Sequence, residues 1–214
     1  MTDPSPSPVP NRKPVLLLVV LFLAPLAAAF WLYYGSSWRP ALHTNHGTLV
    51  GPVSLPELAL PLAAAPGAAS AAAASAAVAP AAMGPASVFR GKWTLLVTGA
   101  GEAGCDVPCR GTLIYARQTW LSLAQLSSRV QRVLLAGAGC CDLDYLQREH
   151  NGLIALDASG TAAAPLLQLL PEPRENTIYI VDPLGNLMMR YDVRQDPKGL
   201  REDLKKLLEL SHIG

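Results

Sequence analysis

The sequence predicts an α/β domain carried on a single N-terminal transmembrane helix. Three observations predict this class. A long apolar run without charge lies near the N-terminus. In the C-terminal half, buried-strand patterns alternate with helix-like patterns, which is typical of a sheet with parallel strands. Two late strand patterns are joined by a tight turn, which predicts an antiparallel edge.

Length and charge narrow the class of protein. The chain has 214 residues, and 17 Lys and Arg against 16 Asp and Glu give a formal net charge of +1. This balance, without a basic cluster, argues against nucleic acid as a partner. Four cysteines fall in two pairs, Cys105/Cys109 and Cys140/Cys141. An even number of cysteines suits an oxidising compartment.

The N-terminal segment is interpreted as a membrane anchor. Residues 1–13 predict a short cytoplasmic tail, and residues 14–35 predict the transmembrane helix. About 20 apolar residues at about 1.5 Å each span about 30 Å, the thickness of a bilayer core. Arg12 and Lys13 are expected to stay in the cytoplasm, which places the remainder outside it. A signal peptide cleaved near residues 27–29 is the alternative interpretation.

Residues 36–88 are interpreted as a Pro- and Ala-rich linker. Between Leu58 and Phe89 there is no charge, and 16 of these 32 residues are alanine. Prolines interrupt any long helix, and no apolar stripe is available to dock on a core. His43 and His46 are expected to be solvated side chains rather than metal ligands. The linker is expected to let the domain move relative to the bilayer.

Residues 89–214 are predicted to form the folded domain, in the order β-α-β-α-β-α-β-β-α. Strands are predicted over residues 92–98, 132–136, 153–156, 177–181 and 186–192. Helices are predicted over residues 112–130, 142–150 and 162–170, and a last helix is predicted to follow a cap at Asp196–Pro197. The turn at 182–185 (DPLG) has the residue order of a type I turn. With a cysteine pair opening the first helix, this order is that of a thioredoxin-like fold.

The residues expected to carry chemistry are Cys105 and Cys109, four positions apart at a strand-to-helix junction. Such a pair can form a disulfide, exchange thiols or hold a soft metal ion as thiolates. A helix start favours the thiolate, because unpaired N–H groups and the helix dipole place partial positive charge there. Asp106 either opposes the thiolate by its charge or is simply exposed at the helix start. A structural disulfide or two buried thiols is the simplest interpretation.

These features resemble the SCO/SenC family of cytochrome oxidase assembly proteins. The matching stretches are 91–96 (GKWTLL), 105–109 (CDVPC) and 179–185 (YIVDPLG), and the resemblance covers roughly residues 89–210. It implies a thioredoxin-like domain anchored in the bacterial inner membrane and facing the periplasm. It also implies copper binding through Cys105, Cys109 and a distal histidine, a Cys105–Cys109 disulfide in the oxidised form, and partners among cytochrome c oxidase subunits or their assembly factors.

Two departures from the family pattern concern the metal site. Arg110 follows the second cysteine where the family usually has proline, and Arg174 lies where the family has its histidine. Arginine cannot donate a lone pair to a metal, so Cu(I) is left with two thiolates and no imidazole at that place. A guanidinium near Cys105 would instead stabilise its thiolate and favour thiol–disulfide exchange.

Other candidate residues have simpler interpretations. His150, Met188 and Met189 are soft donors, but His150 is expected to close a helix and the inward-facing methionine to fill the core. The adjacent Cys140 and Cys141 are expected to be small core residues rather than a disulfide with each other.

Three functions therefore compete. Oxidase copper-centre assembly ranks first, because it covers both Cu(I) binding and delivery and thiol exchange at Cys105 and Cys109. Cu(I) binding and delivery accounts for the anchor, the compartment, the fold and the soft ligands, but it lacks its third ligand. A thiol–disulfide reductase of client cysteines that uses no copper is the second. A non-catalytic assembly scaffold with a fixed disulfide is the third, so the sequence leaves open whether the protein is an enzyme.

Overall fold

The structure, a computed structural model, describes residues 12–35, 44–63, 84–99, 105–137, 142–172, 175–196 and 198–214. The chain divides into two compact units, Met1–Thr44 and Asn45–Gly214. Each unit is described by itself.

The described part of the first unit is helix α1 (Arg12–Phe30), which continues into a π-helical turn at Trp31–Gly35. By length and composition it could cross a membrane. Aromatic rings gather at its C-terminal end, where the Tyr34 ring lies 4.5 Å from Phe30 and 4.7 Å from Tyr33. Rings of this kind favour the membrane–water interface.

In its described part, the second unit is a six-stranded mixed sheet with helices on both faces. The strands are β1 (Thr48–Ser54), β2 (Trp93–Gly99), β3 (Val130–Ala136), β4 (Leu153–Asp157), β5 (Thr177–Val181) and β6 (Asn186–Asp192). The helices are α2 (Val107–Ser122), α3 (Leu143–Glu149), α4 (Ala164–Leu169) and α5 (Gly199–Leu210), with 3₁₀ turns at Ala124–Arg129 and Thr161–Ala163. The strand order is β1-β6-β5-β2-β3-β4.

The pairing of the strands confirms the predicted α/β class. β2, β3 and β4 run parallel, whereas β5 and β6 form an antiparallel hairpin that pairs with β2. The hairpin turn closes through Gly185, whose N–H donates to the Asp182 carbonyl at 2.9 Å. Gly185 has φ +85°, a conformation that costs glycine little.

Each face of the sheet carries a hydrophobic cluster. On one face α2 and α5 cover the strands, and the buried residues include Leu113, Ala116, Leu134, Ile180, Leu200 and Leu204. On the opposite face the strands are covered by α4 and by the irregular segments that carry Leu55, Leu60 and Phe89. The buried residues there also include Leu135, Tyr179 and Leu166. The start of α2, where the cysteines lie, is therefore supported from below by a packed core.

Part of the segment interpreted as linker belongs to the fold, so the predicted start of order near residue 89 is wrong. β1 pairs antiparallel with β6 and forms one edge of the sheet. Leu55 and Leu60 are 2% and 1% exposed in the second cluster. The sequence pattern does not predict this strand, because an edge strand tolerates glycine and proline, here Gly51 and Pro52, and buries few side chains.

Two further contacts hold this N-terminal segment on the sheet. Leu62 pairs with Leu156 at the other edge, beside β4, and the Gly84 N–H donates to the Leu60 carbonyl at 2.8 Å. The remaining residues of the predicted tail and linker, 1–11, 36–43 and 64–83, lie outside the described residues.

The first domain helix begins and ends earlier than the apolar spacing predicts. It was expected over 112–130, but α2 covers Val107–Ser122. Asp106 caps it, and proline is tolerated in the first turn, so the helix includes the segment between the cysteines. It ends because Ala124 takes a positive φ of 52°, after which the chain forms a 3₁₀ turn.

A buried carboxylate on α5 holds the chain that leads into β1. Asp203 is 5% exposed, and its Oδ2 accepts the backbone N–H of His46 at 2.6 Å and of Gly47 at 3.1 Å. The Tyr191 hydroxyl donates to the same oxygen at 2.6 Å. Burial raises the pKa of Tyr191, and its bond to Asp203 raises it further.

The His46 ring is exposed, as expected, and it also lies between two carboxylates. Its Nδ1 lies 2.9 Å from Asp196 Oδ2, and its Nε2 lies 3.2 Å from Glu202 Oε2. Asp196 also accepts the N–H of Gly199 at 3.0 Å at the start of α5, which is the capping role predicted for it. His43 and Pro197 lie outside the described residues.

Candidate functional site

The site predicted from the sequence lies at the start of α2, beyond the carboxyl end of β2. Cys105 and Cys109 are joined by a disulfide, with their Cα atoms 5.1 Å apart. Cys109 is 5% exposed and belongs to the cluster beneath α2. Cys105 is half-buried and lies before the helix. Cys105 is therefore the sulfur that solvent or a partner reaches first.

Local hydrogen bonds explain why the chain turns into a helix between the cysteines. The Asp106 carboxylate accepts the Cys109 N–H at 3.0 Å, and its carbonyl accepts the Arg110 N–H at 2.9 Å. The Thr112 hydroxyl donates to the Pro108 carbonyl at 2.9 Å. These bonds fix the first turn of α2, where the unpaired N–H groups and the helix dipole favour a thiolate once the disulfide is reduced.

The residue between the cysteines is an exposed apolar side chain. Val107 is 82% exposed. It lies next to the exposed carboxylate of Asp106, so the surface beside the disulfide combines an apolar side chain with a charge. Arg110, directly after the second cysteine, lies with its guanidinium carbon 5.2 Å from the centre of the Tyr145 ring.

The alternative soft donors do not join the cysteines in a metal site. Met189 is 3% exposed in the core, as expected, and its sulfur lies 3.5 Å from the Tyr191 hydroxyl oxygen. Met188 is half-buried. His150 closes α3, as predicted, but its ring is buried and its pKa is lowered by burial, so it is not a cation at the helix end.

Arg174, Cys140 and Cys141 lie outside the described residues, so the position of the family's histidine is not placed here. Within the described ranges, no group of three or more His, Cys, Asp or Glu side chains is arranged to hold a metal ion. For a copper ion, the described residues at this site therefore supply two sulfur ligands, those of Cys105 and Cys109. Two thiolates are the soft ligands that Cu(I) selects, and they fit it once the disulfide is opened.

The fold and the cysteine pair define a thioredoxin-fold protein with a CxxxC disulfide at the start of its first domain helix. A family model described as "Transmembrane-like, thioredoxin-like, C-terminal domain" matches residues 93–211. The chain belongs to this family. A comparison with curated proteins gives no match.

Comparison with solved structures finds SCO proteins among similar folds. Yeast Sco1 with copper bound has a TM-score of 0.50 and 16% identity, over 75% of this chain and 96% of that one. Bradyrhizobium japonicum ScoI with copper bound has a TM-score of 0.46 and 16% identity, over 59% and 91%. A thiol:disulfide interchange protein from Bacteroides sp. has a TM-score of 0.43 and 13% identity, over 78% and 91%. The thioredoxin-like fold predicted from the sequence is confirmed.

Proposed function

We propose that the protein is a membrane-anchored assembly factor for the copper centre of cytochrome c oxidase, and that Cys105 and Cys109 hold Cu(I) as its cargo. The observation that carries the proposal is the cysteine pair at the start of α2, where Cys105 precedes the helix and is half-buried while Cys109 lies in its first turn and is buried. The sequence motifs shared with SCO/SenC proteins supply the class of client. Partners are then an oxidase subunit or another assembly factor.

The chemistry at the pair proceeds in two balanced steps. A partner dithiol gives two electrons and two protons to the Cys105–Cys109 disulfide, whose S–S bond breaks while the partner becomes a disulfide. The two thiols then lose their protons as Cu(I) binds, because thiolates are the ligands. The helix start lowers the cost of this deprotonation.

The test is Cu(I) competition with the full chain in detergent, reduced and free of metal. We expect a one-to-one complex that is lost in Cys105→Ser and in Cys109→Ser. The double variant Cys140→Ser/Cys141→Ser is the matched control and keeps the complex. If the wild-type protein binds no Cu(I), or if the control variant loses it, copper delivery through this pair is refuted.

Arg174 allows a test in the opposite direction. If the hairpin alignment gives the right register, Arg174→His restores the imidazole that SCO/SenC proteins have at this place. We then expect tighter Cu(I) binding, with Arg174→Gln as the control that removes the charge without adding a ligand. Equal affinity in both variants would show that residue 174 does not approach the cysteines.

A second candidate function is thiol–disulfide exchange with client cysteines without copper. It is favoured by the lack of a third His, Cys, Asp or Glu ligand beside the pair among the described residues and by the exposed Val107 beside the disulfide. Its signature is a reduction potential well above about −300 mV together with weak Cu(I) binding. A potential below that value would instead indicate a fixed disulfide and a scaffold role.

The proposal places the thioredoxin-like domain in the periplasm, with Arg12 and Lys13 on the cytoplasmic side of the inner membrane. Fusion of alkaline phosphatase, which is active only outside the cytoplasm, to the C-terminus tests this orientation. We expect activity in the wild-type fusion. An expressed fusion without phosphatase activity would contradict the placement, and removal of α1 should abolish the activity.

A further inference from the structure

The outward side of α2 carries exposed apolar side chains in one line. Val107, Ile114 and Leu121 are 82%, 44% and 56% exposed. Because they follow one another at seven-residue steps, they lie above each other on the same side of the helix. The buried residues of α2 lie on the other side: Cys109, Thr112, Leu113, Ala116 and Thr119. We call the line from Val107 to Leu121 the α2 stripe; at about 1.5 Å per residue it is about 21 Å long.

A glycine lies within the α2 stripe, between Val107 and Ile114. Gly111 is exposed, and nothing lies within 4 Å of the position that a Cβ would take. Its φ is not positive, so neither the backbone conformation nor a contact inside the described chain requires glycine here. Glycine weakens a helix relative to alanine, but it lets another backbone approach closely. The α2 stripe therefore has a bare notch between two apolar side chains, as a surface that receives a second helix would have.

One flank of the α2 stripe is positively charged. α2 contains two arginines, Arg110 and Arg117, and no Asp or Glu. Their seven-residue spacing places both on the same side of the stripe. Arg117 lies 3.6 Å from Glu149, but the two side chains are 41% and 56% exposed, so solvent screens this pair and a partner can replace it. Arg110 stacks on the Tyr145 ring and pairs with no carboxylate within the described ranges. Charge complementarity therefore requires an acidic partner.

The α2 stripe begins at the disulfide. Val107 follows two residues after Cys105, the half-buried cysteine, and the Asp106 carboxylate between them accepts the Cys109 N–H. A segment that lies along the stripe therefore has one end beside the Cys105–Cys109 bond. A second copy of this chain suits the stripe poorly, because its own α2 offers two more arginines and no carboxylate to the positive flank.

We propose that the α2 stripe docks an amphipathic helix of the protein that reduces the disulfide, and that this helix carries acidic side chains along the edge facing Arg110 and Arg117. The inference rests on the reduction step of the proposed function. The partner's apolar side chains cover the stripe, and its backbone comes closest at Gly111. Docking holds a dithiol of the partner beside Cys105. The dithiol gives two electrons and two protons to the disulfide, whose S–S bond breaks while an S–S bond forms in the partner.

The test uses synthetic helical peptides of three heptads, with leucine at positions a and d, glutamate at positions e and g, and a Cys-Gly-Pro-Cys dithiol at either end. A second set carries lysine in place of every glutamate. The rate at which each peptide reduces the full chain in detergent is measured by trapping thiols, with dithiothreitol as the reference reductant. We expect the glutamate peptide, with its dithiol at one of the two ends, to react about tenfold faster than its lysine counterpart. This advantage should shrink as the salt concentration rises.

Variants locate the effect on the α2 stripe. Ile114→Gln should slow reduction by the glutamate peptide about fivefold and leave reduction by dithiothreitol unchanged, because only apolar burial on docking is lost. Gly111→Gln meets no clash inside the described chain and should slow the peptide as well. The double variant Arg110→Gln/Arg117→Gln should remove the preference for glutamate over lysine. Leu169→Gln is the matched control, because Leu169 is 38% exposed on α4, at the opposite face of the sheet, and should leave both rates unchanged.

Equal rates for the glutamate and lysine peptides, or an Ile114→Gln variant as fast as the wild type, would overturn the proposal. A dimer in detergent that Ile114→Gln converts to a monomer would also overturn it, and would assign the α2 stripe to a second copy of the chain. Cu(I) competition on the chemically reduced chain separates this inference from the proposed function, because Ile114→Gln should bind Cu(I) as the wild type does. Absence of Cu(I) binding with a retained peptide preference refutes copper delivery alone, whereas Cu(I) binding without that preference refutes docking alone.

Discussion

Replacement of Asp203 tests whether the chain before β1 is a structural part of the domain. In the wild-type protein one carboxylate oxygen accepts three hydrogen bonds, from the His46 and Gly47 N–H groups and the Tyr191 hydroxyl. Asp203→Ala leaves all three donors without that acceptor, and the Tyr191 hydroxyl is buried. Each lost bond to a charged group costs about 1.5–3 kcal/mol, but the His46 N–H regains water. We therefore expect a total loss of about 3–5 kcal/mol.

Asp203→Asn retains one acceptor oxygen without the charge, and we expect a smaller loss of about 1–2 kcal/mol. Glu202→Gln is the matched control on the same helix. Glu202 is exposed, and its ion pair with His46 is screened by solvent, so we expect less than about 1 kcal/mol. The measurement is urea unfolding of the full chain in detergent, followed by the near-UV signal of the domain.

Amide hydrogen exchange gives a local readout of the same variants. In Asp203→Ala the amides of residues 46–54 should lose protection, whereas those of β3 should change only with global stability. The Tyr191 pKa should fall, because the carboxylate that raises it is gone. Full protection of residues 46–54 in a variant with wild-type stability would refute the idea that Asp203 anchors this segment.

Three further predictions follow from the described contacts. Asp106→Ala should lower the unfolding free energy by about 1 kcal/mol, whereas Asp106→Asn keeps the cap. Both variants remove a negative charge and should lower the pKa of the reduced thiols, which is measured by the alkylation rate against pH. Unchanged rates would refute this effect of Asp106. Replacing residues 64–83 by a short Gly-Ser linker should change stability by less than about 1 kcal/mol, because β4 holds Ala63 and Leu60 holds Gly84 through backbone hydrogen bonds. Unfolding of this variant would contradict the prediction. Burial lowers the pKa of His150 in the folded state, so the unfolded chain binds the extra proton and stability should fall as the pH drops below about 6.5. His150→Phe should flatten this pH dependence. An equal slope in both proteins would show that His150 does not cause it.

The sequence predicts the parts of the fold that bury continuous apolar runs. β2, β3 and β5 are buried along almost their whole length, so their short apolar stretches were recognised within a residue or two. The hairpin was predictable because its turn demands Asp, Pro and Gly at set positions. The position of the cysteine pair was also predictable, because a helix start after a buried strand is a local feature of the sequence.

β1 was not predictable from local pattern, because its stability comes from a partner strand far along the chain. One signal for it was present in the last helix. Asp203 falls on the apolar face of α5, next to Leu200 and Leu204, and a carboxylate at a core position requires donors from elsewhere in the chain. Arg132 gives a similar signal, as a charged residue on the inward-facing side of a buried strand.

The antiparallel ladder at the N-terminal edge has a consequence for the order in which the domain can form. Thr48 pairs with Arg190, a separation of 190 − 48 = 142 residues, so the earliest strand to be synthesised waits for one of the last. At roughly 5–20 residues per second, ribosomal synthesis alone imposes a delay of about 7–28 seconds. During this interval β1 lacks its partner strand, and an unpaired edge invites wrong pairing. The N-terminal edge of the sheet can therefore form only after β6 has been synthesised, and its contacts with Asp203 only after the final helix.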